Sequence, residues 1–314
     1  MSSHHEDNII KNHNMTVITD TGRGLHLPVI GSITVPRTPR EFWLWLAAIV
    51  ALNHLVLAYR MQSIDFVALA ALAWGGALLC IEDKLPDLKP EPSQLSLALG
   101  GLLLVASLWR SSQVFHPEPV IHLLALPQAV GLALLLVPIR KLLRFAAPLI
   151  VVGMLIVELL LPEMIPLKAL SLLTAQGSGG MLNLTGFDAV SAGQQIWLPG
   201  GGVNVDNACA GRETITQLIC VATIFLLAFP LRRNGWRFTM LLLAPLLAIF
   251  VNGVRIALLA WINASNLAEK DYWFKFMHED DGSLIFGAIS VSIFAWSYLK
   301  LLDRQLTNHE ARDA

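Results

Sequence analysis

Charge is what this sequence has least of. Asp, Glu, Lys and Arg make up 14% of its 314 residues, against about a quarter in soluble domains. That deficit excludes an ordinary water-soluble globular enzyme. A net charge of -1 leaves no electrostatic footprint for nucleic acid, so no nucleic-acid partner is expected. Cysteine is almost absent. Three residues, Cys80, Cys209 and Cys220, are too few and too scattered for a disulfide framework or a zinc site. Tyrosine is also scarce at three, while tryptophan reaches nine, and indole rings anchor at the headgroup level of a bilayer. Residues 1–40 contain no apolar core of a signal peptide, so no cleaved leader is expected there. Their histidines, His4, His5 and His13, read as part of a solvated, disordered tail rather than a metal site. There is no internal repeat, phosphate-binding loop, dinucleotide fingerprint or low-complexity segment, and neither a cofactor nor a metal is expected.

What is present is apolar. Hydrophobic residues make up 55% of the chain, and mean hydropathy is +0.60. A spanning helix needs about 20 mostly apolar residues. Candidate runs are Phe42–Tyr59, Ile64–Ile81, Leu95–Trp109, Val120–Ile139, Phe145–Leu161, Thr214–Phe229, Phe238–Ile262 and Ser283–Leu302. The expectation is an all-α polytopic membrane protein with about eight transmembrane helices. Residues 1–41 form a polar cytoplasmic tail, 42–302 the membrane domain and 303–314 a second cytoplasmic tail. The third run is short and is a candidate for partial re-entry.

Orientation follows from the distribution of Lys and Arg. With the N-terminus inside, the inner loops hold Arg140, Lys141, Arg144, Arg232, Arg233 and Arg237, and the outer loops are poorer in base. Both termini are then cytoplasmic, in the inner (plasma) membrane. The long loop of about 162–211 is extracytoplasmic. Its Gly193–Leu198 and Val203–Val205 stretches suit a small hairpin.

Three polar signals mark helix ends on one side. At 1.5 Å per residue, Arg255 stands about 27 Å from the inner anchor Arg237. Cys209 stands about 34 Å from Arg232, and His278 about 33 Å from Lys300. The hydrocarbon core is about 30 Å thick, so all three reach the outer boundary. Cys80 and Cys220 sit in apolar runs and read as small hydrophobes. Cys209 instead lies among Asp206, Asn207, Gly211, Arg212 and Glu213, before a helix. A helix start and a nearby cation stabilise a thiolate, so its pKa is expected below about 8.5. Asn252 shares a helix face with Arg255 and is expected to orient it. Arg255 either stabilises an oxyanion or forms a structural pair with Glu158. His278 is preferred as the base over His54, which lies deeper, in the first span.

The Ala-Cys-Ala-Gly stretch at 208–211, the Asn-Gly-Val-Arg stretch at 252–255 and the Phe-Met-His-Glu-Asp-Asp-Gly stretch at 276–282 resemble the three motifs of exosortases and archaeosortases. The family pattern is Cys-x-Gly, Asn-x-x-Arg and a late His followed by Gly, in that order. The charged Cys-Ala-Gly-Arg-Glu-Thr run is more similar to the cyanobacterial branch, the cyanoexosortases. The resemblance implies a membrane-embedded cysteine protease or transpeptidase. Cys209 would be its nucleophile, Arg255 its electrostatic helper and His278 its base, with Asn252, Gly211 and Glu158 supporting. Its substrates would be exported proteins with a C-terminal Pro-Glu-Pro-like motif, a transmembrane helix and a basic end. An acyl acceptor, a lipid or a glycan, stays open. The alternative from another class is a transporter or lipid-binding protein whose polar residues line a path.

Overall fold

A computed structural model describes residues 38–60, 63–85, 90–206 and 209–313. The N-terminal tail through residue 37, with its histidines, lies outside the described residues. Ten α-helices and three short strands follow one another. They are α1 (Pro39–Arg60), α2 (Ile64–Leu79), α3 (Gln94–Ser112), α4 (Val120–Leu134), α5 (Ala146–Met164), α6 (Leu167–Leu184), β1 (Val190–Ala192), β2 (Gln195–Leu198), β3 (Gly201–Asn204), α7 (Arg212–Ala228), α8 (Asn234–Ala264), α9 (Lys270–His278) and α10 (Asp280–Asp313).

Each of the eight expected apolar runs forms a helix. Among the described residues, five segments are long and apolar enough to cross a bilayer: α1, α3, residues 139–164 with α5, α8 and the 284–305 stretch of α10. The third run, expected to be short, is a full helix of 19 residues. α2 and α4 are apolar but shorter, and the 17 residues of α7 rise about 25 Å. The chain is an all-α polytopic membrane protein. Its helices are sided accordingly. α8 exposes Leu242, Leu246 and Phe250 and buries Ala244, Ala248, Asn252 and Arg255. α10 exposes Ile285, Ile289, Ile293 and Trp296 and buries Ser290, Phe294 and Tyr298. Apolar stripes of that length, four residues apart, are covered by lipid rather than water. Within the bundle, α7 packs on α5, α8 and α2. The Tyr298 hydroxyl donates to Phe229 O at 2.6 Å, tying α10 to the last turn of α7.

The 162–211 stretch is not a plain loop. It holds α6 and a three-stranded antiparallel meander, β1-β2-β3. Gly177, Gly179 and Gly180 lie inside α6. In the fold its buried residues are Leu170, Ser171, Thr174, Ala175, Ser178, Gly179 and Leu182. That is a mostly small-residue stripe at helical spacing, the kind that lets membrane helices approach closely, and it packs on α8. The expected hairpin is β2–β3, paired from Gln195 with Asn204 to Leu198 with Gly201, and β1 adds a third strand. Ile196 and Leu198 point inward, while Gln195 and Trp197 point out. With Ala175, Leu182, Val205, Ile256, Leu259 and Ala260 they form a second apolar cluster around Cys209, partly covered by Phe274 and Met277 of α9. Beyond Leu302, within the expected C-terminal tail, α10 continues as helix to Asp313.

Candidate active site

Cys209 lies on the short connection from β3 to α7 and is buried. Its N–H is shared between Asp206 Oδ1 at 3.0 Å and Asp206 O at 3.2 Å. Its carbonyl accepts from Asn252 Nδ2 at 3.0 Å, and the next carbonyl, of Ala210, accepts from Thr174 Oγ1 at 3.1 Å. Three contacts thus pin the backbone of this segment: from α6, from α8 and from Asp206. Asn252 therefore holds the cysteine segment rather than orienting Arg255 as expected.

Gly211 ends that segment with φ +87° and caps α7. A Cβ there would stand 2.5 Å from Asn252 Nδ2. Only glycine serves both needs: the left-handed backbone and the room for Asn252. Gly211→Ala is expected to lose folded protein, and with it any activity of the site. The left-handed strain alone costs about 1–3 kcal/mol. A thermal melt beside an activity assay checks this; parent-like values in both would remove the packing argument.

Arg255 is buried and reaches across to the end of α9. Nε donates to Met277 O at 3.1 Å and Nη2 to His278 O at 2.9 Å. The guanidinium fork therefore holds the backbone that carries His278. Gly282 brings the first turn of α10 against the same place. A Cβ there would meet Phe276 O at 2.5 Å and Met277 Cα at 2.6 Å. The imidazole of His278 stacks on Phe274, with centroids 5.6 Å apart and planes at 14°. Cys209 Sγ, a ring nitrogen of His278 and a carboxylate oxygen of Asp206 all lie within 4.8 Å of one another. The structure thus brings together the cysteine, the arginine and the histidine singled out in sequence. It adds Asp206 and Thr174, which the sequence did not mark for a role.

The thiol is not poised as expected. Burial pushes the Cys209 pKa up, and the Asp206 charge adds to this; the Arg255 charge pulls it down, and the thiol's hydrogen bond to Asp206 raises it again. The result is about 11, above rather than below the free-cysteine value. The reason is geometric. Cys209 precedes the Gly211 cap instead of sitting in the first turn of α7, and a carboxylate stands beside it.

The other candidates separate cleanly. Glu158 does not pair with Arg255. Its Oε2 lies 2.7 Å from His122 Nε2, a close contact without hydrogen-bond alignment. His54 is fully buried, with Nε2 3.1 Å from Ile121 O and Nδ1 accepting from Trp74 Nε1 at 3.3 Å. Both its nitrogens are engaged in the helix core. Cys220 is buried against Met154 O, Cys80 is half-buried, and all three thiols are free. Sulfur, imidazole and carboxylate at this spacing are also a donor set that suits a thiophilic divalent cation such as zinc.

A family model described as Transmembrane exosortase (Exosortase_EpsH) matches residues 59–295. Neither a curated protein nor a solved structure matches the chain.

Proposed function

Since the chain belongs to the transmembrane exosortase family, we propose that it is a cysteine protease or transpeptidase that cleaves exported proteins at a C-terminal tail. The tail carries a Pro-Glu-Pro-like motif, a transmembrane helix and a basic end. The helix anchors the substrate in the bilayer and presents the motif at the extracytoplasmic boundary, the side assigned by the bias of Lys and Arg. The enzyme resides in the plasma membrane with both termini in the cytoplasm. The charged run after Gly211 supports the cyanobacterial branch of the family.

The observation that carries this reading is the convergence of Cys209 and His278, with Arg255 fastened to the histidine's backbone. Cys209 attacks the scissile carbonyl as His278 takes the thiol proton. The Arg255 charge, within electrostatic reach of the sulfur, favours the developing oxyanion. His278 returns the proton to the leaving amine, and a thioacyl enzyme remains. Water then gives hydrolysis. An amine or a hydroxyl on a lipid or glycan gives transfer.

The test is co-expression with a tailed substrate and intact-mass measurement of its mature C-terminus. Cleavage that persists in the presence of a chelator and stops with a thiol-alkylating reagent supports the cysteine reading. Cleavage abolished by the chelator and restored by zinc would replace it with a metal-dependent one.

Cys209 is also expected to react with a small, charged methanethiosulfonate from the extracytoplasmic side, and Cys80 and Cys220 not. A raised pKa means that the reactive thiolate grows only with alkali. Labelling should therefore climb about tenfold per pH unit with no plateau below about pH 10. A plateau below about pH 8.5 would show a pre-ionised thiol. Labelling only from the cytoplasmic side of oriented vesicles would invert the topology.

A further inference from the structure

We propose that Asp206 is a further working member of this site: a positioning residue whose carboxylate seats the Cys209 segment and stabilises the proton that passes from sulfur to His278. The inference rests on the cysteine reading above and deepens it.

Its geometry has two parts. Asp206 Oδ1 accepts the Cys209 N–H at 3.0 Å, which fixes the turn carrying the sulfur. A carboxylate oxygen also lies within 4.8 Å of both Cys209 Sγ and a His278 ring nitrogen. The first part needs only an acceptor. Asn would supply one, as Asn and Asp both close turns of this kind. A negative charge is a poor choice beside a sulfur that must become an anion: burial already raises the thiol's pKa, and the Asp206 charge adds to it. The charge is useful only to a cation formed next to it. The imidazolium of His278 is that cation.

The step balances without an outside reactant. At rest the thiol lies beside the Asp206 carboxylate and within reach of the His278 ring. As sulfur bonds to the scissile carbon, the thiol proton moves to the His278 nitrogen. The imidazolium then sits against the Asp206 carboxylate, which stays ionised throughout. When the C–N bond breaks, the same proton goes to the leaving amine. The Arg255 charge from α8 also acts on Cys209, and Arg255 in turn feels Glu213 from α7. Arg255 is already committed to the carbonyls of Met277 and His278, so Asp206 is the anion adjoining both sulfur and imidazole. An empty site gains as well. A protonated thiol resists oxidation and stray alkylation.

Asp206→Asn separates the two parts, because it keeps the acceptor for the Cys209 N–H and removes the charge. Two rates are read in the full-length protein: alkylation of Cys209 at pH 7.5 and processing of a tailed substrate. The expected changes have opposite signs. Alkylation should rise severalfold, its pH profile moving toward acid, because the charge that adds to burial in raising the thiol's pKa is gone. Processing should fall about tenfold or more, since the proton transfer loses its counter-charge. Asp206→Glu restores the charge and should bring alkylation back toward the parent rate and recover part of the processing. The proposal is overturned if Asp206→Asn processes normally, or if both rates fall in proportion to folded protein, the mark of a purely structural turn. Failure of the underlying reading shows separately, as processing that survives Cys209→Ala.

Discussion

Cys209→Ala is expected to abolish processing while the protein still folds and inserts. No other described thiol can substitute. Cys220 is buried in the helix core against Met154 O, and Cys80 sits at the C-terminal end of α2, away from the histidine. The substitution removes only the sulfur. The hydrogen bonds that position residue 209 run through its backbone, to Asp206 Oδ1 and from Asn252 Nδ2, and an alanine keeps them. The loss of packing in the surrounding apolar cluster is about 1 kcal/mol, roughly one buried methylene. Folded yield and melting temperature should therefore stay close to the parent, and turnover should fall below detection. Cys80→Ala and Cys220→Ala should process at parent rates. Normal mature product from Cys209→Ala would end the thioacyl mechanism.

How much of this could be read from the chain differs between the fold and the site. Apolar runs are long and strongly marked, so every spanning segment was visible, most with boundaries within a few residues. α6 was not, because Gln176, Gly177, Gly179 and Gly180 read as loop residues in water. Within a membrane bundle the same small residues make a packing stripe against α8, and the cue was the spacing of Ser171, Thr174, Ala175, Ser178 and Leu182. At the site, depth counting put Cys209, Arg255 and His278 at one level, and their lateral meeting came from the fold. The pairings were less legible. A structural pair of Arg255 with Glu158 is an alternative that sign and depth alone allow, yet α4 supplies His122 to that carboxylate and α9 supplies backbone carbonyls to the arginine. Asp206 was in plain view three residues before the cysteine. Its meaning depends on a turn that no periodicity marks.

The second large effect belongs to the histidine and to the arginine that holds it. His278→Ala should slow acylation by about 100- to 10,000-fold, the usual contribution of a placed proton carrier. The fold should survive, because Arg255 grips the carbonyl of residue 278 rather than its ring, and only the stacking on Phe274 is lost. Arg255→Lys tests the grip. An ammonium keeps the charge near the sulfur but cannot reach two successive carbonyls with a rigid fork. The end of α9 then loses a prong, and displacing a catalytic group by about 1 Å can cost about 100-fold. The lysine variant should therefore be well below parent but above His278→Ala, with a largely unchanged pH dependence of Cys209 alkylation, because the charge remains. Single-turnover acylation, normalised to folded protein, measures both. His54→Ala provides the contrast. Both its nitrogens are bonded within the helix core, to Ile121 O and from Trp74, so its loss should lower the melting temperature more than the acylation rate. An acylation defect larger than that of His278→Ala would move the base into the first span and leave the arginine clamp without a purpose.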